Sequence, residues 1–424
     1  MQQIKLKKSI LYIMIFVILL IFLLMIHTNQ ELYFLFYWTV ISLFTFFCIS
    51  RIKNNIINAF LVFSVFYTVL FFGGPYILYI QGFDYFRVVG NYFLFSFFFF
   101  TIGYFFANRY VNTKKIIFSI KPTRDYKTIF FISVIIFCVS SLAYLLYFFK
   151  NWNYIYIDDF ENGRVNAMTG NGLFLWIGSL IWLAIYMLYE QFLLNGYYKK
   201  TVILMFSTAA IFSVLLGFRS ALVNPILILI FMKNKNEKIP IRIVLSLTLI
   251  LFVFVGAYGA VRAGNSSFLS SLIGELKVSS VNLKNILSNF PEKLDYQLGK
   301  TYVFDFLTLF NDDIEGTTSW LKSVLKLSFS GGGVTPTIMG EFYINFGNFG
   351  VMMGMFLLGI FFNFIEKSYQ NPHNSIFLCC LVLGYIRPIL RGGIGNSLIS
   401  ILVYIIGYYC CQYFAKKINI RIKI

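Results

Sequence analysis

The polar residues best suited to chemistry in this sequence stand where polar segments enter long apolar runs. Glu341 lies in the stretch GEFYINFGNFG, directly before the apolar run VMMGMFLLGIFF. A carboxylate in such a place is able to orient or deprotonate a hydroxyl group. Glu341 and Asn345 share a face if the stretch is helical, whereas Glu341, Tyr343 and Asn345 share a side if it is extended. The alternative role for Glu341 is a carboxylate that only complements the positive end of a helix dipole.

Arginines near the ends of apolar runs form a second set of candidates. Arg387 and Arg391 are four residues apart in GYIRPILRGG, so they share a helical face unless Pro388 distorts the turn. Two cations at this spacing repel each other unless an anion lies between them, and arginine forks match phosphate oxygens. Three further candidates are Arg164, Arg219 and Arg262. Together they predict an anionic, membrane-tethered ligand, the alternative being arginines that anchor helices at the lipid interface.

The elements that position these residues are predicted to be membrane-spanning helices. Of the 424 residues, 59% are hydrophobic and 12% are charged, and the mean hydropathy is +0.76. Soluble domains are about half apolar and about 25% charged. We therefore predict an all-α, polytopic integral membrane protein in which residues 1–424 form a single domain. About twelve spans are expected, near residues 10–26, 32–50, 56–80, 92–106, 129–149, 173–189, 202–217, 221–232, 243–258, 346–365, 376–390 and 394–415.

The distribution of charge along the chain predicts the orientation of these helices. With the N-terminus inside, the inner segments hold 22 of the 35 Lys and Arg residues but only 4 of the 17 acids, so the whole net charge of +18 falls on one side. Both termini are then cytoplasmic, and the candidate residues face outward. The basic surplus predicts contact with anionic membrane lipids. No nucleic acid is expected as a partner, because no binding module is recognisable.

Two segments depart from regular membrane crossings. A long outer loop is expected over about residues 259–345, with short helices near the membrane surface that roof a cavity. Residues 201–232 cross twice between Lys200 and Lys233, although two full spans need about 40 residues. The hairpin is therefore predicted to be shallow, which places Arg219 at its tip in a recess below the outer surface. Gly350 and Gly354 form a GxxxG pattern, which predicts a close helix-packing face.

No cofactor or metal site is predicted. The six cysteines fall inside predicted spans as small apolar residues. Acids cluster in DDFEN and NDDIEG, but their spacing fits no calcium loop, and solvated loop acids are commoner. The two histidines are His27, at the outer end of the first span, and His373, in a cytoplasmic turn. Because His27 is interpreted as an interface residue, a base at the outer face would be a carboxylate.

Four short stretches, GEFYINFGNFGV, GFRSALVNPILI, GRVNAMTGNG and LRGG, resemble the Wzy-type oligosaccharide repeat-unit polymerases of O-antigen and capsular polysaccharides, as does the predicted topology. The resemblance implies a metal-independent, inverting glycosyltransferase in the bacterial cytoplasmic membrane. Such an enzyme polymerises undecaprenyl-diphosphate-linked oligosaccharides on the outer leaflet, with the lipid diphosphate as leaving group. A chain-length regulator and a flippase of the same pathway are the implied protein partners.

The resemblance implies roles for Arg219, Arg164 and Arg391, whereas the roles of the other candidates are predicted from their position and chemistry. Arg219 matches the family's arginine–serine position and would stabilise the diphosphate as it leaves. Glu341 would orient or deprotonate the acceptor hydroxyl. The other residues expected to bind substrate are Arg164, Arg262, Arg387, Arg391, Tyr343 and Asn345.

Three other functions compete with the polymerase. An O-antigen ligase of the same fold transfers the finished chain to a different acceptor, and such ligases are described as using a histidine, which the large outer loop lacks here. A lipid-linked oligosaccharide flippase would carry charges at mid-membrane on several helices, whereas here they cluster at the outer rim. A non-enzymatic scaffold in a polysaccharide assembly complex has no supporting feature in the sequence.

Overall fold

The structure, a computed structural model, describes residues 59–110, 126–152, 163, 167, 171–217, 220–239, 268–308, 314–328, 333–371 and 375–418. The predicted spans at 10–26, 32–50 and 243–258 lie outside the described residues, as do Arg164, Arg219 and Arg262. The described part of the chain is helical and contains no strand, which confirms the all-α class.

The helices form from the apolar runs, because a backbone surrounded by lipid must satisfy its own N–H and C=O groups. They are α1 (Ala59–Ile80, with a π-helical turn at Thr68–Phe72), α2 (Phe86–Tyr110), α3 (Tyr126–Lys150), α4 (Gly172–Ser179), α5 (Ile181–Asn195), α6 (Lys199–Leu215), α7 (Ser220–Asn236), α8 (Phe268–Leu287), α9 (Thr301–Leu307), α10 (Thr317–Val324), α11 (Ile338–Gln370), α12 (Ile376–Gly384), α13 (Ile386–Gly392) and α14 (Ile394–Ile418).

Six helical segments within the described residues are long and apolar enough to cross a membrane. They are Ala59–Ile80, Phe86–Arg109, Tyr126–Lys150, Gly172–Asn195, Ile338–Gln370 and Ser397–Lys417. The protein is therefore an integral membrane protein, while the number twelve stays a prediction. The region predicted as the large outer loop contains α8, α9 and α10, in line with the helices expected there. That this region forms one extracytoplasmic loop also stays a prediction.

The segment predicted to be a shallow hairpin folds into two short helices. α6 and α7 have 17 residues each, which is about 25 Å of helix against a hydrocarbon thickness of about 30 Å. α7 runs antiparallel to α12: Lys235, near the end of α7, donates to the carbonyl of Ser375, which precedes α12, at 3.4 Å. The first end of α7 therefore points toward α13, which follows α12 and also contacts α7.

The predicted span at 376–390 is divided into α12 and α13, with the break at Tyr385. Pro388 has no N–H and therefore cannot continue the hydrogen-bond ladder to Gly384. It instead occupies the first turn of α13, where an N–H would have no partner within the helix. The break places α13, of seven residues, between α12, of nine residues, and α14, of 25 residues.

The longest helix, α11, packs along α2. The two run parallel, because Tyr92 donates to Asn348 near their first ends and Tyr104 donates to Glu366 near their last ends. This direction agrees with the alternation predicted from the charges. A Cβ added to Gly103 would lie 2.0 Å from the Phe356 carbonyl oxygen. The absence of side chains at such positions lets the two helix backbones approach closely.

Candidate functional site

The stretch that carries Glu341 is helical and ends in a sharp kink. α11 begins at Ile338, and the backbone leaves helical geometry at Phe346 and Gly347. Gly347 has φ 62° and ψ −151°, a conformation essentially restricted to glycine, and a Cβ there would lie 2.7 Å from the Tyr296 hydroxyl oxygen. The kink separates a short first segment, residues 338–345, from the long helix that follows.

Gly350 and Gly354 lie just after this kink and leave room for the segment that precedes it. A Cβ on Gly350 would lie 2.4 Å from the Phe342 carbonyl oxygen, and one on Gly354 would lie 2.6 Å from the Phe342 ring. Their nearest neighbours are thus in the first segment of the same helix, not on another helix. The GxxxG pattern therefore lets the segment with Glu341 fold back closely against the long helix.

Glu341 is fully buried, and both of its carboxylate oxygens are engaged. Oε2 accepts a hydrogen bond from the N–H of Ile394 at 2.5 Å, and Oε1 accepts one from the N–H of Gly395 at 3.2 Å. These amides belong to the first turn of α14, where backbone N–H groups lack helical partners. The carboxylate therefore satisfies the N-terminal end of α14 and also complements its dipole.

Thr337 joins the same two segments through its backbone. Its N–H donates to the carbonyl of Arg391 at 3.1 Å, and its own carbonyl accepts from the N–H of Glu341 at 2.9 Å. Its side chain accepts from the N–H of Gly340 at 3.1 Å and thereby caps α11. Thr337 has φ 63°, which is strained for a β-branched residue. The start of α11 is therefore bonded to the end of α13 through Thr337 and to the first turn of α14 through Glu341.

Asn345 lies one helical turn from Glu341, as the helical alternative predicted. Its Nδ2 donates to the carbonyl of Glu341 at 2.9 Å and to the Thr301 hydroxyl at 2.5 Å. Its Oδ1 accepts from the N–H of Gly299 at 2.8 Å. Asn345 is fully buried. It therefore connects α11 to the start of α9, and its predicted role in substrate binding stays a prediction.

Tyr343 lies on a different face from Glu341. Its hydroxyl donates to the Phe290 carbonyl at 3.3 Å. Its ring meets Tyr92 and Tyr296 edge-on, with ring centroids 5.9 Å and 6.1 Å away. The extended arrangement, in which Tyr343 would share a side with Glu341, is therefore wrong for this segment. A role for Tyr343 in binding substrate stays a prediction.

Two side chains of α9 approach Glu341 and were missed by the sequence reasoning. Burial, and to a smaller extent the Glu341 carboxylate, raise the pKa of the Tyr302 hydroxyl. Asp305 is close enough to Glu341 for their charges to interact. One Asp305 oxygen accepts from the N–H of Thr317 at 2.9 Å, and the other is buried without a hydrogen-bond partner. Burial raises the pKa of Asp305. Only the contact of α9 with α14 reveals them, because no motif marks either residue.

Arg387 and Arg391 both lie on α13 and are half-buried. Their helical spacing is confirmed, since Pro388 lies in the first turn and leaves the helix intact. α13 contacts α7 and α11. Arg219, outside the described residues, directly precedes the first residue of α7 in the sequence. Among the residues that the structure describes, no three His, Cys, Asp or Glu side chains are grouped so as to hold a metal ion.

These features define an integral membrane protein with a buried polar cluster where the first ends of α11 and α14 meet α13. Comparison with known families then places the chain. The family described as O-antigen polysaccharide polymerase Wzy matches residues 10–422, and the chain belongs to this family. The resemblance expected from the four short stretches is thereby confirmed. No curated protein and no solved structure matches the chain.

Proposed function

We propose that the chain joins undecaprenyl-diphosphate-linked oligosaccharide repeat units by inverting, metal-independent glycosyl transfer. The growing chain on undecaprenyl diphosphate is the donor, and a single lipid-linked repeat unit is the acceptor. An acceptor hydroxyl attacks the anomeric carbon, the bond from that carbon to the diphosphate oxygen breaks, and undecaprenyl diphosphate leaves. The hydroxyl proton passes to a base of the site or to water.

The observation that carries this proposal, beyond family membership, is the pair of arginines on α13, whose last turn is bonded through the backbone to the start of α11, the helix that carries Glu341. A diphosphate leaving group gains negative charge in the transition state, and fixed cations stabilise that charge better than mobile water does. Arg387 and Arg391 lie on one short helix whose end is hydrogen-bonded to the start of α11. The planar forks of arginine side chains match the oxygens of a diphosphate in bidentate contacts.

The remaining site residues are proposed on their position in the sequence and in the fold. Arg219, which directly precedes α7, is proposed to contribute to the diphosphate site because the first end of α7 points toward α13. Glu341 is proposed as the acid of the site, and its direct contact with the acceptor hydroxyl stays a prediction. The other proposed substrate-binding residues are Arg164, Arg262, Tyr343 and Asn345.

The proposed location is the bacterial cytoplasmic membrane, with both termini cytoplasmic and the site facing outward. The charge distribution supports this orientation, and the relative helix directions are compatible with it. The proposed partners are the lipid-linked oligosaccharides, the surrounding lipids, a chain-length regulator and a flippase. No cofactor is proposed.

The test is the length profile of the surface glycan in cells that lack this gene. Complementation is done with the wild-type chain, with Arg391→Ala and with a control, Arg109→Ala. The control changes an exposed arginine in the last turn of α2. We expect single repeat units at the surface in the deletion strain, and long chains restored by the wild type and the control but not by Arg391→Ala.

Two outcomes would point to the competing functions. Long chains that persist on their lipid carrier without being attached identify a ligase. Repeat units that accumulate only on the cytoplasmic face identify a flippase. Full-length polysaccharide with Arg391→Ala, at normal membrane levels of the variant, removes Arg391 from the proposed diphosphate site.

A further inference from the structure

We infer that Glu341 is a positioning residue: it fixes the junction between α13 and α14, residues 391–395, and through that junction sets the place of the Arg391 guanidinium. This inference rests on the proposed function, because Arg391 is taken to bind the diphosphate. It assigns to Glu341 an action through Arg391 in place of direct contact with the acceptor hydroxyl.

The first argument is that the carboxylate is buried away from any substrate and already bonded to the backbone. A general base must come within hydrogen-bond distance of the hydroxyl that it deprotonates. Glu341 is fully buried, and each oxygen already accepts from a backbone amide, of Ile394 and of Gly395. Displacing these bonds for a sugar hydroxyl would leave two backbone amides without an acceptor, which is unfavourable.

The second argument is that the junction is held from both sides. The carbonyl of Arg391 accepts from the N–H of Thr337, and the amides of Ile394 and Gly395 donate to Glu341. Arg391 and Ile394 are only three residues apart, so both ends of this short segment bond to the first turn of α11. Thr337 keeps a strained backbone with φ 63° while making its bond. Strain of this kind persists where the surrounding structure determines the conformation more than once.

The third argument is that the junction leaves no room for another side chain. Gly393 has φ 87°, and a Cβ there would lie 2.4 Å from Oε2 of Glu341. A Cβ on Gly395 would lie 2.9 Å from the Thr301 carbonyl oxygen and 3.1 Å from Oε1 of Glu341. The glycines of RGGIG thus let the backbone approach the carboxylate closely enough to bond it. Electrostatic stabilisation of a leaving group requires cations fixed before the reaction, and these contacts fix the backbone that carries Arg391.

The experiment measures binding of a diphosphate without requiring polymerisation. The purified full-length chain in detergent is titrated with farnesyl diphosphate, a short isoprenyl diphosphate, and farnesol serves as the control for the lipid tail. The variants are Glu341→Gln, Arg391→Lys and the double variant. Glu366→Gln is the matched control, because Glu366 is a half-buried acid near the far end of the same helix.

If Glu341 acts through Arg391, Glu341→Gln weakens diphosphate binding roughly tenfold, as Arg391→Lys does, because bidentate contact needs a fixed guanidinium. The double variant then binds no more weakly than Arg391→Lys alone, since residues that act as one unit are not additive. Glu366→Gln binds like the wild type. This pattern would establish the positioning role.

Three results would overturn the inference. Unchanged diphosphate binding by Glu341→Gln, together with lost turnover of lipid-linked repeat units extracted from the deletion strain, identifies Glu341 as a general base. Additive losses in the double variant show that the two residues act independently. If Glu341→Gln does not fold, Glu341→Asp replaces it in the same cycle, and wild-type binding by that variant also refutes the inference. A wild type that binds farnesyl diphosphate but fails to restore long chains contradicts the proposed function alone.

Discussion

Two buried carboxylates bond α14 at two points, its first turn and Tyr408 in its second half, and they differ in the other segments that they hold. Glu341 bonds the first turn of α14, whereas Glu190 accepts at Oε2 from the hydroxyl of Tyr408, 2.7 Å away and about 20 Å further along α14. Oε1 of Glu190 also accepts from the N–H groups of Ile376 and Phe377, in the first turn of α12. Both acids are fully buried, and both satisfy a helix N-terminus.

The difference lies in the segments that these acids hold. The segment at Glu190 continues directly into a regular apolar helix, IFLCCLVLG. The segment at Glu341, residues 391–395, contains Arg391 and the positive-φ Gly393, and it is bonded by the strained Thr337. The same physical interaction therefore supports the packing of the fold at Glu190. At Glu341, by our inference, it positions an arginine that binds the diphosphate. Burial and hydrogen bonding of an acid do not separate the two cases, but the neighbours of the bonded amides do.

The largest effect is expected from Gly393→Ala. The new methyl group would meet the Glu341 carboxylate, and φ 87° is unfavourable for alanine, so the junction must move. Since displacement of a site residue by about 1 Å is able to cost on the order of a hundredfold in rate, polymerisation should fall by about that factor. The measurement is the rate of chain extension in membranes, per unit of folded protein.

The control for Gly393→Ala is Gly274→Ala in α8, where a Cβ would meet no atom within 4 Å. This control should extend chains at the wild-type rate. Its free energy of unfolding should rise by about 0.5–1 kcal/mol. If Gly393→Ala extends chains at the wild-type rate, the α13–α14 junction tolerates displacement. The contrast between Glu341 and Glu190 would then lose its basis.

Glu190→Gln should change stability but not the reaction. Glutamine keeps one acceptor oxygen, but its NH₂ group replaces the other oxygen and cannot accept from the donors there. Buried hydrogen bonds are therefore lost, at a cost on the order of 2 kcal/mol. The thermal midpoint of the purified chain should fall, while chain extension per folded molecule stays at the wild-type value. The exposed Glu237, changed to Gln, is the control for loss of one acid at this end of the molecule. If folded Glu190→Gln no longer extends chains, Glu190 also takes part in the reaction.

Local patterns predicted part of this architecture. Apolar runs marked the helices because lipid requires them, and the 17-residue lengths of α6 and α7 agree with the shallow hairpin expected from the short distance between Lys200 and Lys233. The helical pairing of Glu341 with Asn345 followed from their spacing. The arginine pair on α13 was likewise predictable, because a proline in a first turn leaves a helix intact.

Long-range contacts decided the rest. Glu190 appeared in the sequence only as one inner acid among four, since its partners lie 185 or more residues further along the chain. Thr337 gave no signal, because its strain arises from the contact with Arg391. The kink at Gly347 was not predicted as a kink, although it lies at the boundary expected between the outer loop and the span at 346–365. Asp305 lies on α9, in the region predicted as an outer loop, and no periodicity reveals the packing of α9 on α14.

The smallest expected effect concerns Asp305, the acid that interacts with Glu341. Burial raises the pKa of Asp305 above its ordinary value of 3.8, so the folded chain binds more protons than the unfolded chain between these two pKa values. Its contribution to stability is therefore full below about pH 4 and is lost as the pH rises through the folded-state pKa. Asp305→Asn cannot ionise and keeps an oxygen for the N–H of Thr317, so it should be more stable near neutral pH, by no more than about 1 kcal/mol.

The measurement for Asp305 is the apparent thermal midpoint from pH 4 to pH 7 for the wild type and for Asp305→Asn. The wild-type midpoint should decline relative to that of the variant as the pH rises. Glu315→Gln, which changes an acid of the same region that bonds Ser323 at the surface, is the control. Parallel curves for the wild type and Asp305→Asn would mean that Asp305 ionises in the folded chain as readily as in the unfolded one. Asp305 would then be solvated. The only remaining difference between Glu341 and Glu190 would be the segment to which each is bonded.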